Sequence, residues 1–280
     1  MKTIYLFPVL LLISFISFGQ QLDSTIAAEQ STIKNRKVYK MKYGIDIPIA
    51  VAGTAWTLYS FTKIYGGDKT PEAEIVALNP DDLNSIDRST ANNNSEKAKA
   101  ASDKFFYCSM SAPLFLLFDK KIRKDAGKVG LLYLEAMAIT GTIYTSSSMI
   151  ARRFRPYTYN ANVEMARRRG GGGRNSFPAG HPAVVATSIF FMAKVYSDYH
   201  PEMKNKWILY TVAGGASLAT GLLRIQAGQH FPTDVMVGIP VGILSGILVP
   251  HFHKNRENRN LTILPYTLGE SNGLTAMIKL

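Results

Sequence analysis

The stretch Arg224-Ile-Gln-Ala-Gly-Gln-His230-Phe-Pro-Thr-Asp234 sets a guanidinium, an imidazole and a carboxylate between two apolar runs. Ionisable groups at such a boundary are costly unless they meet a partner or a ligand. Pro232 disfavours helix at Phe231 and suits the first turn of a helix running on through Val235 to Val249. His230 is thus predicted just ahead of a helix and Asp234 in its first turn, where the helix dipole favours a carboxylate. From there Asp234 can hold one imidazole nitrogen and leave the other free, the arrangement of an activated histidine nucleophile.

Two further clusters offer matching chemistry. Ala151-Arg152-Arg153-Phe154-Arg155-Pro156 follows the third apolar run, and Ser176-Phe-Pro178-Ala179-Gly180-His181-Pro182 opens the fourth. Guanidinium groups pair two-pronged with phosphate oxygens. Pro182, like Pro232, fits a first helical turn, so two helix N-termini with free amides can face one anion, and Gly180 lets the backbone come close to it. Arginines and amides around an anion, with one histidine to attack and another to protonate the leaving oxygen, outline a phosphoryl-transfer site.

The order Arg-Pro, then Pro-x-Gly-His, then Arg-x5-His-x3-Asp, with its core between Ser148 and Asp234, resembles the type-2 phosphatidic acid phosphatase superfamily, which includes lipid phosphate phosphatases and vanadium haloperoxidases. The resemblance implies that His230 is the nucleophile and forms a phosphohistidine, that Asp234 orients it and that His181 is the general acid. It also implies that Arg155, Arg224 and the Gly180 amide hold phosphate oxygens, with no metal and no cofactor. The substrate expected from it is a lipid phosphomonoester or pyrophosphate. The alternatives are an exported phosphatase acting on soluble phosphate esters and a catalytically impaired phosphate-binding member.

Two positions depart from the family pattern. A lysine is expected where this chain has Ser148, and a serine where it has Ala179. A charge-assisted hydrogen bond contributes about 1.5–3 kcal/mol, so an uncompensated loss of the cation slows turnover by about one to two powers of ten. Arg152 and Arg153 are the first candidates to replace it, followed by Arg167, Arg168, Arg169 and Arg174. Ser148→Lys is expected to raise activity.

The elements that position these groups are read from the apolar runs at about 45–63, 105–118, 129–150, 182–197, 207–223 and 235–250. Several are rich in Gly, Ala, Ser and Thr, the residues that let helices approach closely in lipid. The fold class expected is all-α, a membrane bundle of about six apolar helices, with the phosphatase domain over 44–260; a soluble helical bundle is the alternative. Residues 1–19 read as a secretory signal peptide, 20–43 as a polar and basic segment, and 261–280 as a tail resembling a short β-hairpin. The link from about 64 to 104 reads as an external connection.

Basic residues in the connection from Asp119 to Lys128 and after Pro250 mark those ends as cytoplasmic by the positive-inside rule, so the His230 stretch faces the periplasm or exterior of a bacterial-type envelope. A cleaved leader combined with six crossings would turn it inward, which leaves the number of crossings open. The net charge of +12 suits anionic partners such as lipid headgroups or a phosphorylated substrate. Nucleic acid is not expected, because the basic residues flank apolar runs rather than forming a reading face. The single cysteine, Cys108, excludes an internal disulfide. His251 and His253 read as loop residues too few in ligands to hold a metal.

Overall fold

A computed structural model describes residues 37–255, 261–268 and 271–278. The expected signal peptide and most of the segment to residue 43 lie outside the described residues. Six longer helices carry the architecture: α1 (Tyr43–Tyr65), α2 (Glu96–Ser111), α3 (Ala126–Ala151), α4 (Gly180–Tyr199), α5 (Lys206–Gln226) and α6 (Pro232–His253). Residues Met41–Lys254 form one compact unit that contains all six. In the other unit, strands β1 (Leu261–Leu268) and β2 (Ser271–Ile278) pair antiparallel, with Leu261 opposite Ile278.

Helix starts follow local chemistry. Ser95 caps α2 by accepting from the Ala98 amide at 3.2 Å. Phe231 caps α6 in an extended conformation, Pro232 takes the first position, and Asp234 accepts from the Phe231 amide at 2.8 Å. Phe231 has no side-chain acceptor, so only the carboxylate half of a capping box forms. At the other end of the scale, α3 stops where Arg152 takes a left-handed conformation, φ 44°, and this turns the chain into the Arg153–Pro156 cluster.

α4 is the central helix, buried on most of its circumference by Ala183, Val185, Ala186, Phe190, Phe191 and Val195. Its closest partner is α6, and the closeness comes from one row of glycines. A Cβ on Gly238, Gly242 or Gly246 would stand 2.3, 2.1 and 2.6 Å from the carbonyl oxygens of Ala179, Ala183 and Thr187. Spaced by four residues, these glycines lay one backbone directly on the other. This fixes the start of α4, where His181 sits, against the start of α6, which follows His230.

The expectation of about six apolar spans is met in part. Among the described residues, two helices, α5 and α6, are long and apolar enough to cross a membrane. The reason is visible in the sequence: α1 holds Asp46 and Lys63, α3 holds Lys128 and Glu135, and α4 holds Lys194 and Asp198. The run at 105–118 is divided, its first half ending α2 and its second half forming a 3-10 segment, Ala112–Phe118, begun by Pro113. The stretch from 64 to 104 is also more than a connection. It folds into short helices at Glu72–Val76 and Ser85–Arg88 and delivers Asp87 to the site described next.

Candidate active site

Backbone hydrogen bonds join the three motif clusters. The Arg155 amide donates to Gly173 O at 2.9 Å, Tyr157 to Gly228 O at 3.0 Å, Ser176 to Arg153 O at 3.0 Å and Ala179 to Asp234 O at 3.0 Å. Segments far apart in sequence are thereby held in one rigid cluster of turns before any side chain is considered.

His230 is 1% exposed. Its Nδ1 lies 2.6 Å from the carbonyl oxygen of Ser176. A carbonyl only accepts, so Nδ1 carries the proton and Nε2 is left with a free lone pair. Burial, and then the neighbouring Arg155 and Arg224, hold the imidazole well below its usual protonation range. His230 is therefore a neutral base at neutral pH.

The orienting contact is not the one expected. Asp234 makes no hydrogen bond to His230. It accepts from Ser176 Oγ at 2.5 Å, from the Phe231 amide at 2.8 Å and from Arg153 Nη1 at 2.5 Å. A carboxylate in the first turn of α6 is turned back toward its own helix amides, and Ser176 fills the space between it and the imidazole.

Arg155 and Arg224 converge. Arg155 Nη1 donates to Gln229 Oε1 at 2.5 Å and Arg224 Nη2 to the same oxygen at 3.3 Å. Arg155 Nε also donates to Asn175 at 2.8 Å, and Arg224 Nη1 to Asp103 at 3.0 Å. Both side chains are buried, 5% and 2% exposed. Two buried guanidinium groups sharing one amide oxygen, with a single carboxylate among their partners, make a site short of negative charge.

His181 stands at the start of α4, its ring stacked on Phe106 at 4.3 Å and its Nε2 3.2 Å from Asp103 Oδ1. Asp103 thus faces both His181 and Arg224. Burial alone would raise its carboxyl, but Lys99 and Arg224 outweigh that and hold it below its usual value, so it is ionised. Gly180 backs onto Tyr144, whose ring would lie 2.8 Å from an added Cβ. Ala179 is fully buried, with its backbone packed against Gly238 of α6.

The expected substitute cations separate. Arg153 is consumed: it bridges Asp234 and Asp87, the latter at 2.6 Å, donates to Thr233 at 2.8 Å and lies 4.5 Å over the Phe231 ring. Burial would raise the Asp87 carboxyl, yet hydrogen bonds from Thr233, Arg153 and Asn84 bring it below the usual range. Arg168 is tied to Thr158 O at 2.8 Å, while Arg167 and Arg169 pair with Glu96 and Glu72. Arg152 and Arg174, the latter paired with Glu74 at 2.9 Å, line a cavity of about 330 Å³ with Ser148, Asn175 and Lys63. The Ser148 hydroxyl and Arg174 Nε are buried there without a hydrogen-bond partner among the described residues.

Reading the sequence did not find Asp103, Ser176 as an orienting residue, Gln229 or Asp87. Asp103 looks like half of an exposed pair with Lys99, which it also is, at 3.1 Å. Gln229 and Ser176 do lie inside or beside the motifs, and that position was the available signal.

Comparison with known proteins gives the arrangement a lineage. Residues 129–258 match the model of the PAP2 superfamily. Phosphatidylglycerophosphatase B of Bacillus subtilis is 35% identical over 78 residues, covering 28% of this chain and 38% of that protein. Lipid A 4'-phosphatase of Porphyromonas gingivalis is 29% identical over 139 residues, covering 49% of this chain and 56% of the relative. The matched region thus spans less than two thirds of either relative. A crystal structure of a transmembrane PAP2-type phosphatidylglycerolphosphate phosphatase from Bacillus subtilis aligns with 73% of this chain and 96% of its own, at 20% identity and a TM-score of 0.45. All three motif clusters fall within residues 129–258, the part of the chain that matches the PAP2 superfamily.

Proposed function

We propose that the chain is a membrane phosphatase that hydrolyses a lipid phosphomonoester or pyrophosphate through a phosphohistidine at His230. The observation that carries this is the protonated Nδ1 on Ser176 O, which leaves Nε2 as a lone pair beside two converging arginines. In the first step Nε2 attacks phosphorus and the ester P–O bond breaks, its electron pair leaving on the alcohol oxygen. His181 supplies the proton to that oxygen. In the second step water attacks the phosphohistidine, His181 takes the water's proton, and the P–N pair returns to Nε2 as phosphate leaves.

Arg155 and Arg224 hold the phosphoryl oxygens in this reading, and the Gly180 amide at the start of α4 adds a donor. Burial first, and then the same two guanidinium groups, discourage a proton on His181. A phosphate dianion between them offsets their charge and lets His181 carry the proton it must donate.

Support for a lipid substrate comes from the helices around the site and from the names of the relatives. Only 28% and 39% of the apolar windows of α5 and α6 are buried inside the protein, so most of their apolar surface faces outward. Trp207, Val212, Leu218, Leu222, Met236 and Leu244 are all exposed on them, as lipid-facing residues are. The site is expected to face the periplasm or exterior, and the leader to direct export.

The test is phosphate release from a panel of phosphatidate, phosphatidylglycerophosphate, polyprenyl pyrophosphate, lipid A and a soluble phosphomonoester, by wild type and His230→Ala. Wild type should act on at least one lipid and yield an acid-labile phosphoenzyme that His230→Ala lacks. Equal release by the two proteins would sink the reading. Carbonate extraction into the soluble fraction, with activity confined to the soluble ester, would favour an exported phosphatase instead.

A further inference from the structure

The end of α6 remote from His230 brings together three groups that the phosphatase chemistry does not use. His253, the last residue of α6, meets Asp46 from the first turn of α1 and Glu135 from α3. Its Nε2 is 3.1 Å from Asp46 Oδ1 and 3.7 Å from Glu135 Oε2. One ligand-capable atom from each of the three lies within 4.8 Å of the other two. His253 is therefore neither a loop residue nor short of partners, which corrects the reading of the His251–His253 pair from sequence.

Two details point to a ligand. The Nδ1 of His253 is 2.8 Å from Val249 O, so Nδ1 carries a proton and Nε2 faces the carboxylates as the coordinating nitrogen does in a metal-bound histidine. The Glu135 side chain is 6% exposed, and its Oε2, directed at His253, has no hydrogen-bond partner among the described residues. Asp46 keeps its other oxygen on the Lys42 amide at 2.6 Å, which fixes its orientation.

Charge decides what fits. Neither carboxylate is paired with a lysine or arginine among the described residues, so a proton on His253 could offset only one of two buried ionised carboxylates and would leave the other unbalanced. A divalent cation balances both. One nitrogen and two oxygens suit zinc, whose bonds to such ligands of about 2.0–2.2 Å put neighbouring ligand atoms about 3.3 Å apart in a tetrahedron. The separations of 3.1 and 3.7 Å bracket that value.

We propose that Asp46, Glu135 and His253 form a structural zinc site that ties α1, α3 and α6 together. The 22 residues of α6 place it roughly 30 Å from His230. The ion therefore takes no part in phosphoryl transfer, and three protein ligands leave its fourth position to water.

The experiment uses the untagged full-length chain in detergent, stripped with a chelator and then equilibrated with zinc. Mass spectrometry should find about one zinc per chain in wild type and less than about one tenth of that in Asp46→Asn, Glu135→Gln and His253→Ala. His200→Ala, which removes an imidazole contacting Asp119 and Glu202, should retain it. Cobalt(II) added to the stripped wild type should give the visible absorption of a tetrahedral site and lose it on zinc addition, a readout that needs no variant to fold. Chelation should lower the Tm of wild type. Wild type that takes up no zinc and shows no cobalt band, or a His253→Ala protein with wild-type zinc content, overturns the proposal. The cluster is then a protonated imidazole held between two carboxylates.

Discussion

The Nδ1 of His230 lies 2.6 Å from the carbonyl oxygen of Ser176, and the hydroxyl of that same Ser176 lies 2.5 Å from Asp234. The carboxylate thus acts on the imidazole through one residue, fixing the position of a backbone carbonyl instead of accepting the imidazole proton itself. The neutral carbonyl orients the ring through Nδ1 and leaves Nε2 as the free nitrogen, as the proposed attack on phosphorus requires.

That relay predicts a graded response. Ser176→Ala keeps the carbonyl and removes only its tether, so kcat should fall about tenfold with KM little changed, the cost of one charge-assisted hydrogen bond. Asp234→Ala also strips Arg153 of a buried partner and should lower the free energy of unfolding by about 3 kcal/mol. Steady-state kinetics and denaturant unfolding separate the two effects. Loss of activity in Ser176→Ala as complete as in His230→Ala would count against an orienting role.

Gln229 is predicted to restrain the empty site. Its Oε1 takes a hydrogen bond from each of Arg155 and Arg224, the place a phosphoryl oxygen occupies in the proposed complex. A carboxylate at this position competes with substrate for both guanidinium groups. Gln229→Glu should raise KM by about tenfold or more while raising Tm, because it neutralises buried like charge. A variant with wild-type KM would show that the arginines meet substrate elsewhere.

Much of this site was legible in the sequence because its parts are local. Pro232 and Pro182 marked two helix starts, and the spacing from Arg224 to Asp234 set those groups at the junction of α5 and α6, although Asp234 contacts Ser176 and Arg153 rather than the imidazole. What escaped notice depends on contacts made across distance. Asp103 looks like the solvated partner of Lys99 until α2 packs beside α5, and Asp87 looks like part of a polar linker until Arg153 reaches it. Five of the six apolar runs coincide with long helices, while the run at 105–118 is split between the end of α2 and a 3-10 segment. Asp46, Glu135 and Lys194, which lower the apolar character of α1, α3 and α4, are buried.

Arg174 is the candidate for the cation missing at Ser148. It lines the same cavity, its neighbour Asn175 holds Arg155, and its guanidinium is positioned by Glu74 at 2.9 Å and by the Phe154 ring at 4.6 Å. Arg174→Ala should lower kcat/KM by about one to two powers of ten. Adding Ser148→Lys to that variant should recover part of the loss. In the wild-type background Ser148→Lys introduces a fourth basic group beside Lys63, Arg152 and Arg174, so its gain should be smaller there. A double variant no better than Arg174→Ala would remove Arg174 from the role.

Acid should weaken the folded protein through His230. Its imidazole is held well below the usual value by burial and by Arg155 and Arg224, whereas in the unfolded chain it titrates near about 6.5. Below that pH the unfolded chain binds a proton that the folded one refuses, so stability falls as pH drops from about 6.5 toward the folded value and is unaffected by this group above it. His181, held down to about 3 by burial and by Arg224 and Arg155, acts in the same direction in the same window, so the comparison with a His230 variant is what isolates His230. Asp87 and Asp103, both held low, act only below the normal carboxylate range. Thermal unfolding between about pH 8 and 5 should show Tm declining with acidity in wild type. The decline should be shallower in His230→Asn, whose side-chain amide can still donate to Ser176 O. Parallel Tm curves for the two proteins would mean that the imidazole is protonated in the folded state, and its lone pair could not then be the nucleophile.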